Sequence, residues 1–186
     1  MKPAHMKIAR WIVSGVAIVF VVLLVVAYLL LRHALVTRTI AVAAPPAAVF
    51  PLVGDLRRFN EWSPWADRDP ATVYTFTGPT DGVGQTLNWS SKVPEVGAGS
   101  MKIDRLEPDK AVDVEIVFAG EGDAAATIAL EPSTAGTTVT WTFDADLGLD
   151  PVGRYFGLMM DGQVGPDLEK GLARLKSVAE AKPVPG

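Results

Sequence analysis

The sequence predicts an α+β domain: a seven-stranded antiparallel curved sheet wrapped on a long C-terminal helix, preceded by one transmembrane helix. Three patterns predict it. Residues 11–31 form one uninterrupted uncharged, apolar run. Seven short stretches of alternating apolar and polar residues follow, six of them in close succession between Gly, Pro and Asp clusters. Near the end, Leu168, Leu172, Leu175 and Ala179 recur at i, i+4, i+7 and i+11, the mark of one buried helix face.

The N-terminal tail, 1–10, carries Lys2, Lys7 and Arg10. The 21 residues from Trp11 to Leu31 then make a helix of about 31 Å, the thickness of a bilayer's hydrocarbon. A cleaved signal peptide is the rival reading, but its apolar core spans only about 7–15 residues and ends at a small-x-small site. Here Arg32 and His33 follow the run directly, and the nearest Ala-Val-Ala (Ala41 to Ala43) falls inside an expected strand. The positive charges favour a cytoplasmic N-terminus. That makes a single-pass protein of the inner membrane with its domain on the outer, periplasmic face. Residues 32–36 read as a linker of at most about 18 Å, residues 37–182 as the domain and 183–186 as a tail.

Within the domain, Arg38 to Val42 alternates as a first strand. Pro45-Pro46 opens a short helix that Pro51 should bend, and Asp55 caps a second short helix carrying Leu56, Phe59 and Trp62. Ser63 precedes Pro64 and is steered out of the α region, so that helix stops. Six strands follow, over Val73–Thr77, Gln85–Ser91, Ser100–Leu106, Val112–Phe118, Ala126–Leu130 and Thr138–Phe143. Each is polar on one face, as in an antiparallel sheet solvated on one side. Asp150-Pro151 starts a helix, which Gly162, Gly165 and Pro166 are expected to interrupt before the final long helix. A sheet of seven strands curls, so sheet and helix should enclose a space.

Composition excludes several functions. All 21 acidic residues lie in 33–186 with only 13 of the 17 Lys and Arg, a net charge of −8 for the soluble part. No basic stripe for nucleic acid and no polybasic patch for lipid heads is present. The chain has no Cys, and its 2 histidines, His5 and His33, flank the apolar run. Thiol catalysis, a His general base and a Cys- or His-ligated metal are therefore unavailable to the domain, and no cofactor is expected.

The element order, with Ala-Pro-Pro-Ala-Ala-Val-Phe-Pro-Leu-Val (44–53), Phe-Asn-Glu-Trp-Ser-Pro-Trp (59–65), Gly-Leu-Met-Met-Asp (157–161) and Gly-Leu-Ala-Arg-Leu-Lys (171–176), resembles the SRPBCC superfamily. More narrowly, it is similar to the bacterial polyketide cyclase/dehydrase and lipid-transport-like group, related to START domains and the birch-pollen allergen. The likeness covers about residues 37–181. It implies a helix-grip fold with an elongated apolar cavity. It carries no defined catalytic set, and the fold hosts carriers, receptors and cyclases alike.

Tyr74, Trp89, Phe118, Trp141, Phe143 and Met159 are the candidate cavity residues, with Asp161 as a possible polar group among them. Core packing is the competing explanation for each aromatic, and caps or solvated surface for each acid. Trp62 and Trp65 read as a structural plug between the short helices and the sheet. Gly82-Val-Gly84 lacks the Lys of a phosphate loop and reads as hairpin chemistry.

Three functions fit. In the first, the domain binds a lipid or other hydrophobic small molecule near the bilayer, without turnover. In the second, it is a cyclase/aromatase-like enzyme in which a Tyr, Asp or Arg assists proton transfer, Tyr74 and Asp161 being the residues to test. In the third, it is a membrane-tethered stress or assembly factor with a filled core and a protein partner. A void of about 300 Å³ or more separates the first two from the third.

Overall fold

Every second residue of β7 (Gly136–Asp146), from Thr137 to Ala145, is buried, while Thr138, Thr140 and Thr142 face outward. The same alternation organises the whole sheet. The computed structural model describes residues 3–120 and 122–181. The expected tail, 183–186, lies outside these residues.

The elements run α1 (Pro3–Leu29), β1 (His33–Val42), α2 (Pro46–Val53), a 3₁₀ turn (Leu56–Glu61), then β2 (Val73–Thr77), β3 (Thr86–Ser90) and β4 (Ala98–Glu107). They continue as β5 (Ala111–Phe118), β6 (Gly122–Ser133), β7, α3 (Pro151–Gly157) and α4 (Met160–Glu180). The seven strands form one antiparallel sheet in the order β1-β7-β6-β5-β4-β3-β2, which the final helix grips. This is the expected helix-grip architecture.

Three boundaries differ from the sequence reading. Residues 33–36, expected as linker, are strand: β1 pairs with β7 from His33↔Asp146 onward, burying Ala34 and Val36. The helix expected over 11–31 ends at Leu29. The interruption expected at Gly162, Gly165 and Pro166 falls earlier, at Leu158–Met159, and α4 runs unbroken through all three. Gly165 is needed for close approach instead. A Cβ there would lie 2.1 Å from the Nη2 of Arg38, which crosses α4 at this point. Arg38 faces inward from edge strand β1, and its guanidinium forks between Asp161 (2.8 Å) and Glu169 (2.6 Å), four residues to either side of the glycine.

The core joins the inner sheet face to the Leu168, Leu172 and Leu175 stripe of α4, with α2 and Trp62 closing one side. Gln85 is the buried polar hinge of this region. Its Oε1 accepts the Leu56 N–H (2.7 Å), and its Nε2 donates to Asp55 Oδ1 (2.8 Å) and Thr80 O (2.7 Å). Gln85→Leu leaves the buried Leu56 N–H without its partner and removes the bonds to Asp55 and Thr80. Chemical denaturation should register a loss of about 2–3 kcal/mol.

Surface carboxylates make stability pH-dependent. The Arg32 guanidinium, with help from the Gly148 N–H, holds the Asp146 carboxyl well below the usual carboxylate range. Arg38 does the same for Asp161, and Arg174 for Asp67. Carboxyls depressed in the folded state contribute stability that is fully present above their unfolded pKa of about 4 and is lost as pH falls through the folded value. Thermal unfolding should therefore be flat from pH 7 to about 5 and fall below about 4. Asp146→Asn should flatten that acid limb.

The register also sets where the two ends of the sheet lie. Ala34, Ala145, Ala124, Ile116, Met101 and Leu87 form one continuous row of paired residues across it. That row sits at the end where β1 leaves α1. The junction there is braced: Arg32 grips Asp146 with two bonds of 2.7 and 2.6 Å, and the Leu147 N–H donates to Arg32 O at 2.9 Å. Arg154, buried, donates to Tyr28 O, Leu30 O and Gly148 O, satisfying carbonyls left open at the C-terminus of α1.

Candidate functional site

α4 packs chiefly against β1, at one edge of the sheet. The inward side chains of β3, β4 and β5 are thus left facing a space, and a cavity of about 230 Å³ occupies it. Leu87, Met101 and Ile116 form its floor, from the row that lies level with Ala34. Tyr74, Trp89 and Phe118 stand one step nearer the α1 end of the sheet, and Phe143 closes the β7 side. Phe59, Ser63 and Trp65, from the 3₁₀ turn and the segment after it, make the opposite wall with Val164 and Asp167 of α4.

The Trp89 wall is possible because β4 carries Gly99 between its neighbours. A Cβ at Gly99 would lie 2.4 Å from Val117 O and 2.5 Å from the Trp89 ring. The bare backbone lets the indole lie across β4, edge-on to Phe118 (centroids 5.9 Å apart, 77°), with its Nε1 donating to Val96 O at 3.1 Å. Trp89 is therefore held at both ends.

The lining carries two acidic groups. Asp167 accepts from Trp65 Nε1 (3.1 Å) and from Arg68 Nη2 (2.7 and 2.8 Å), and exposed Glu95 sits on the β3–β4 loop. The lining thus carries two carboxylates and no cationic side chain, although Arg68 stands directly behind Asp167. Among the described residues no cluster of three or more His, Cys, Asp or Glu could hold a metal ion.

Of the residues singled out from sequence, Tyr74, Trp89, Phe118 and Phe143 line this cavity. The other three do not. Trp141 is buried behind it, edge-on to Trp62 (5.2 Å, 74°) and Trp65 (6.0 Å, 84°), because α4 presses on that part of β7. Its Nε1 is buried without a hydrogen-bond partner. Met159 caps α4 at 52% exposure, since the helix break falls immediately before it. Asp161 lies in the first turn of α4, paired with Arg38 at 67% side-chain exposure.

Sequence reasoning missed Phe59, Trp65 and Asp167. Trp62 is the plug it expected, fully buried with Nε1 on Leu52 O, but Trp65 turns to the cavity. One signal was available: Asp167 adjoins Leu168, three residues after Val164, and so flanks the buried stripe of α4.

The family described as polyketide cyclase / dehydrase and lipid transport matches residues 33–180, the span from the first residue of β1 to the last of α4. No curated protein matches the chain. Among solved structures, an uncharacterised protein from Rhizobium leguminosarum is similar at 19% identity and a TM-score of 0.59, over 81% of this chain and 96% of that one. The Aha1 protein from Colwellia psychrerythraea, solved as a dimer in solution, is similar at 17% identity and a TM-score of 0.53, over 80% and 98%. The di-domain ARO/CYC StfQ of the steffimycin biosynthetic pathway gives 12% and 0.58, over 80% of this chain and 51% of its own. These structures share the fold, and the extent of the family match decides membership: the chain belongs to the polyketide cyclase / dehydrase and lipid transport family of the SRPBCC superfamily.

Proposed function

We propose that this protein is a membrane-anchored binding module that takes a neutral or cationic hydrophobic molecule into the cavity under α4. The observation that carries the reading is the cavity itself: apolar, aromatic-walled, and bearing acidic groups but no cation on its lining. At about 230 Å³ it falls short of the ~300 Å³ expected above for a ligand site, yet the interior is not filled, and the space exceeds the ~150 Å³ apolar void that accepts benzene. It suits one acyl segment or a small ring system rather than a two-chain lipid. Each buried methylene contributes about 0.8 kcal/mol, so a decyl segment gains about 8 kcal/mol of transfer free energy, against which the cost of association is set.

Position supports the same reading. The cavity rows lie toward the α1 end of the sheet, and α1 contains a 20-residue span, Arg10–Leu29, long and apolar enough to cross a membrane. With the N-terminus cytoplasmic and the domain on the outer face, the cavity is held beside the lipid surface.

Displacement of a solvatochromic amphiphile from the detergent-solubilised full chain tests the head-group preference. A C10 alcohol or amine should compete better than the C10 carboxylate, since the lining meets an anion with Glu95 and the Arg68-paired Asp167 and offers it no cation. Equal or better competition by the carboxylate contradicts the assignment, and so does a chain that binds no amphiphile at all.

A further inference from the structure

α3 presents an apolar stripe that the fold leaves uncovered. Val152 and Phe156, four residues apart on one face of α3, are 60% and 54% exposed, and Leu149 in the turn before the helix and Met159 in the turn after it add apolar side chains exposed at 76% and 52%. The rest of the element leaves no polar side chain unpaired. Asp150 accepts from the Val152 and Gly153 N–H groups, Arg154 donates to three carbonyls, and Tyr155 Oη donates to Leu23 O at 2.8 Å.

That last bond sets a depth. Leu23 lies six residues before the end of the apolar span at Leu29, about 9 Å down the helix axis. Tyr155 reaches this carbonyl while Arg154 holds those of Tyr28 and Leu30, so α3 lies alongside the last turns of α1. Any element so placed beside a bilayer-crossing helix lies in the lipid layer. There polar groups need internal partners and exposed side chains should be apolar: the exposed side chains of α3, Val152 and Phe156, are apolar, and its exposed cap Asp150 turns both carboxylate oxygens to backbone N–H groups.

We propose that α3 is a second membrane contact, a short helix that buries Val152 and Phe156, with Leu149 and Met159 from its flanking turns, in the leaflet nearest the domain. The inference rests on the reading of α1 as membrane-spanning. Two contacts remove the freedom that a single stalk leaves. The domain then stands at a fixed tilt, with the cavity end of its sheet toward the lipid.

The chain's lack of cysteine makes the test direct. Val152→Cys, Phe156→Cys and, in the exposed β6–β7 hairpin at the far end of the sheet, Ala135→Cys are labelled singly with an environment-sensitive fluorophore. Each full-length variant is reconstituted in phosphatidylcholine–phosphatidylglycerol vesicles containing lipid nitroxide-labelled in the acyl chain. Labels at 152 and 156 should lose about half their emission or more, as expected for side chains ~5–10 Å into the interface, while the label at 135 is unaffected. Carbonate extraction of the same vesicles separates the two readings. Unquenched labels on a carbonate-resistant chain overturn the α3 contact and leave the anchor standing. Copy-to-copy disulfides at residue 156 without quenching also overturn it, since a second copy then covers the stripe. A carbonate-extractable chain overturns the anchor and the α3 contact together.

Discussion

Ile116→Trp should empty the cavity of ligand while leaving the protein folded. Ile116 is almost fully buried at the centre of β5, paired with Met101 and Ala124, and its side chain forms the floor of the 230 Å³ space. An indole there has one direction in which to grow, into the void beneath Trp89 and Phe118. Overpacking a filled core costs about 1–3 kcal/mol, but a pre-existing void absorbs part of the added volume. Amphiphile affinity should fall at least about tenfold, equivalent to 1.4 kcal/mol, with the unfolding midpoint little changed. Ile116→Val, which enlarges the space, should retain binding and cost about 0.5–1.5 kcal/mol of stability. If Ile116→Trp binds as tightly as the parent, the ligand resides elsewhere.

The largest loss of stability should come from Trp62→Ala. Trp62 is 1% exposed, donates Nε1 to Leu52 O at 2.9 Å, and meets Phe59 and Trp141 edge-on at 5.0 and 5.2 Å. Truncation opens a cavity among four elements and strands a carbonyl at the end of α2. Such deletions cost about 3–5 kcal/mol, which lowers the melting temperature of a domain this size by roughly 10–15 °C. Trp62→Phe keeps most of the ring and loses the hydrogen bond, so its cost should be nearer 1–2 kcal/mol. The contrast separates packing from the single bond. A Trp62→Ala protein that melts within 3 °C or so of the parent would remove the plug from this account.

Strand existence and the buried face of α4 were legible because alternation and the Leu168–Leu172–Leu175 spacing are local signals. So were four cavity residues, since Tyr74, Trp89, Phe118 and Phe143 take their facing from strand parity alone. Helix residues were harder to place. Met159 and Asp161 lie outside the cavity because α4 starts at Met160 and Arg38 clamps its first turn to β1, a contact across more than 120 positions. Gly165 looked like a breaker and is instead the crossing point of that arginine. Trp65 looked like core, and only the tertiary placement of the segment after the 3₁₀ turn turns it toward the void. The linker expected over 32–36 shows the same limit. Residues 33–36 of it are strand because they pair with Phe143 to Asp146, a partner more than 100 positions away.

The central claim is that the space under α4 is a ligand site, and native mass spectrometry of the full-length protein released from detergent reads it directly. The parent chain should carry a single adduct of stoichiometry one, of neutral or cationic hydrophobic character, and Ile116→Trp should fly at its bare mass. A bare parent chain, or an adduct that persists in Ile116→Trp, would contradict the claim.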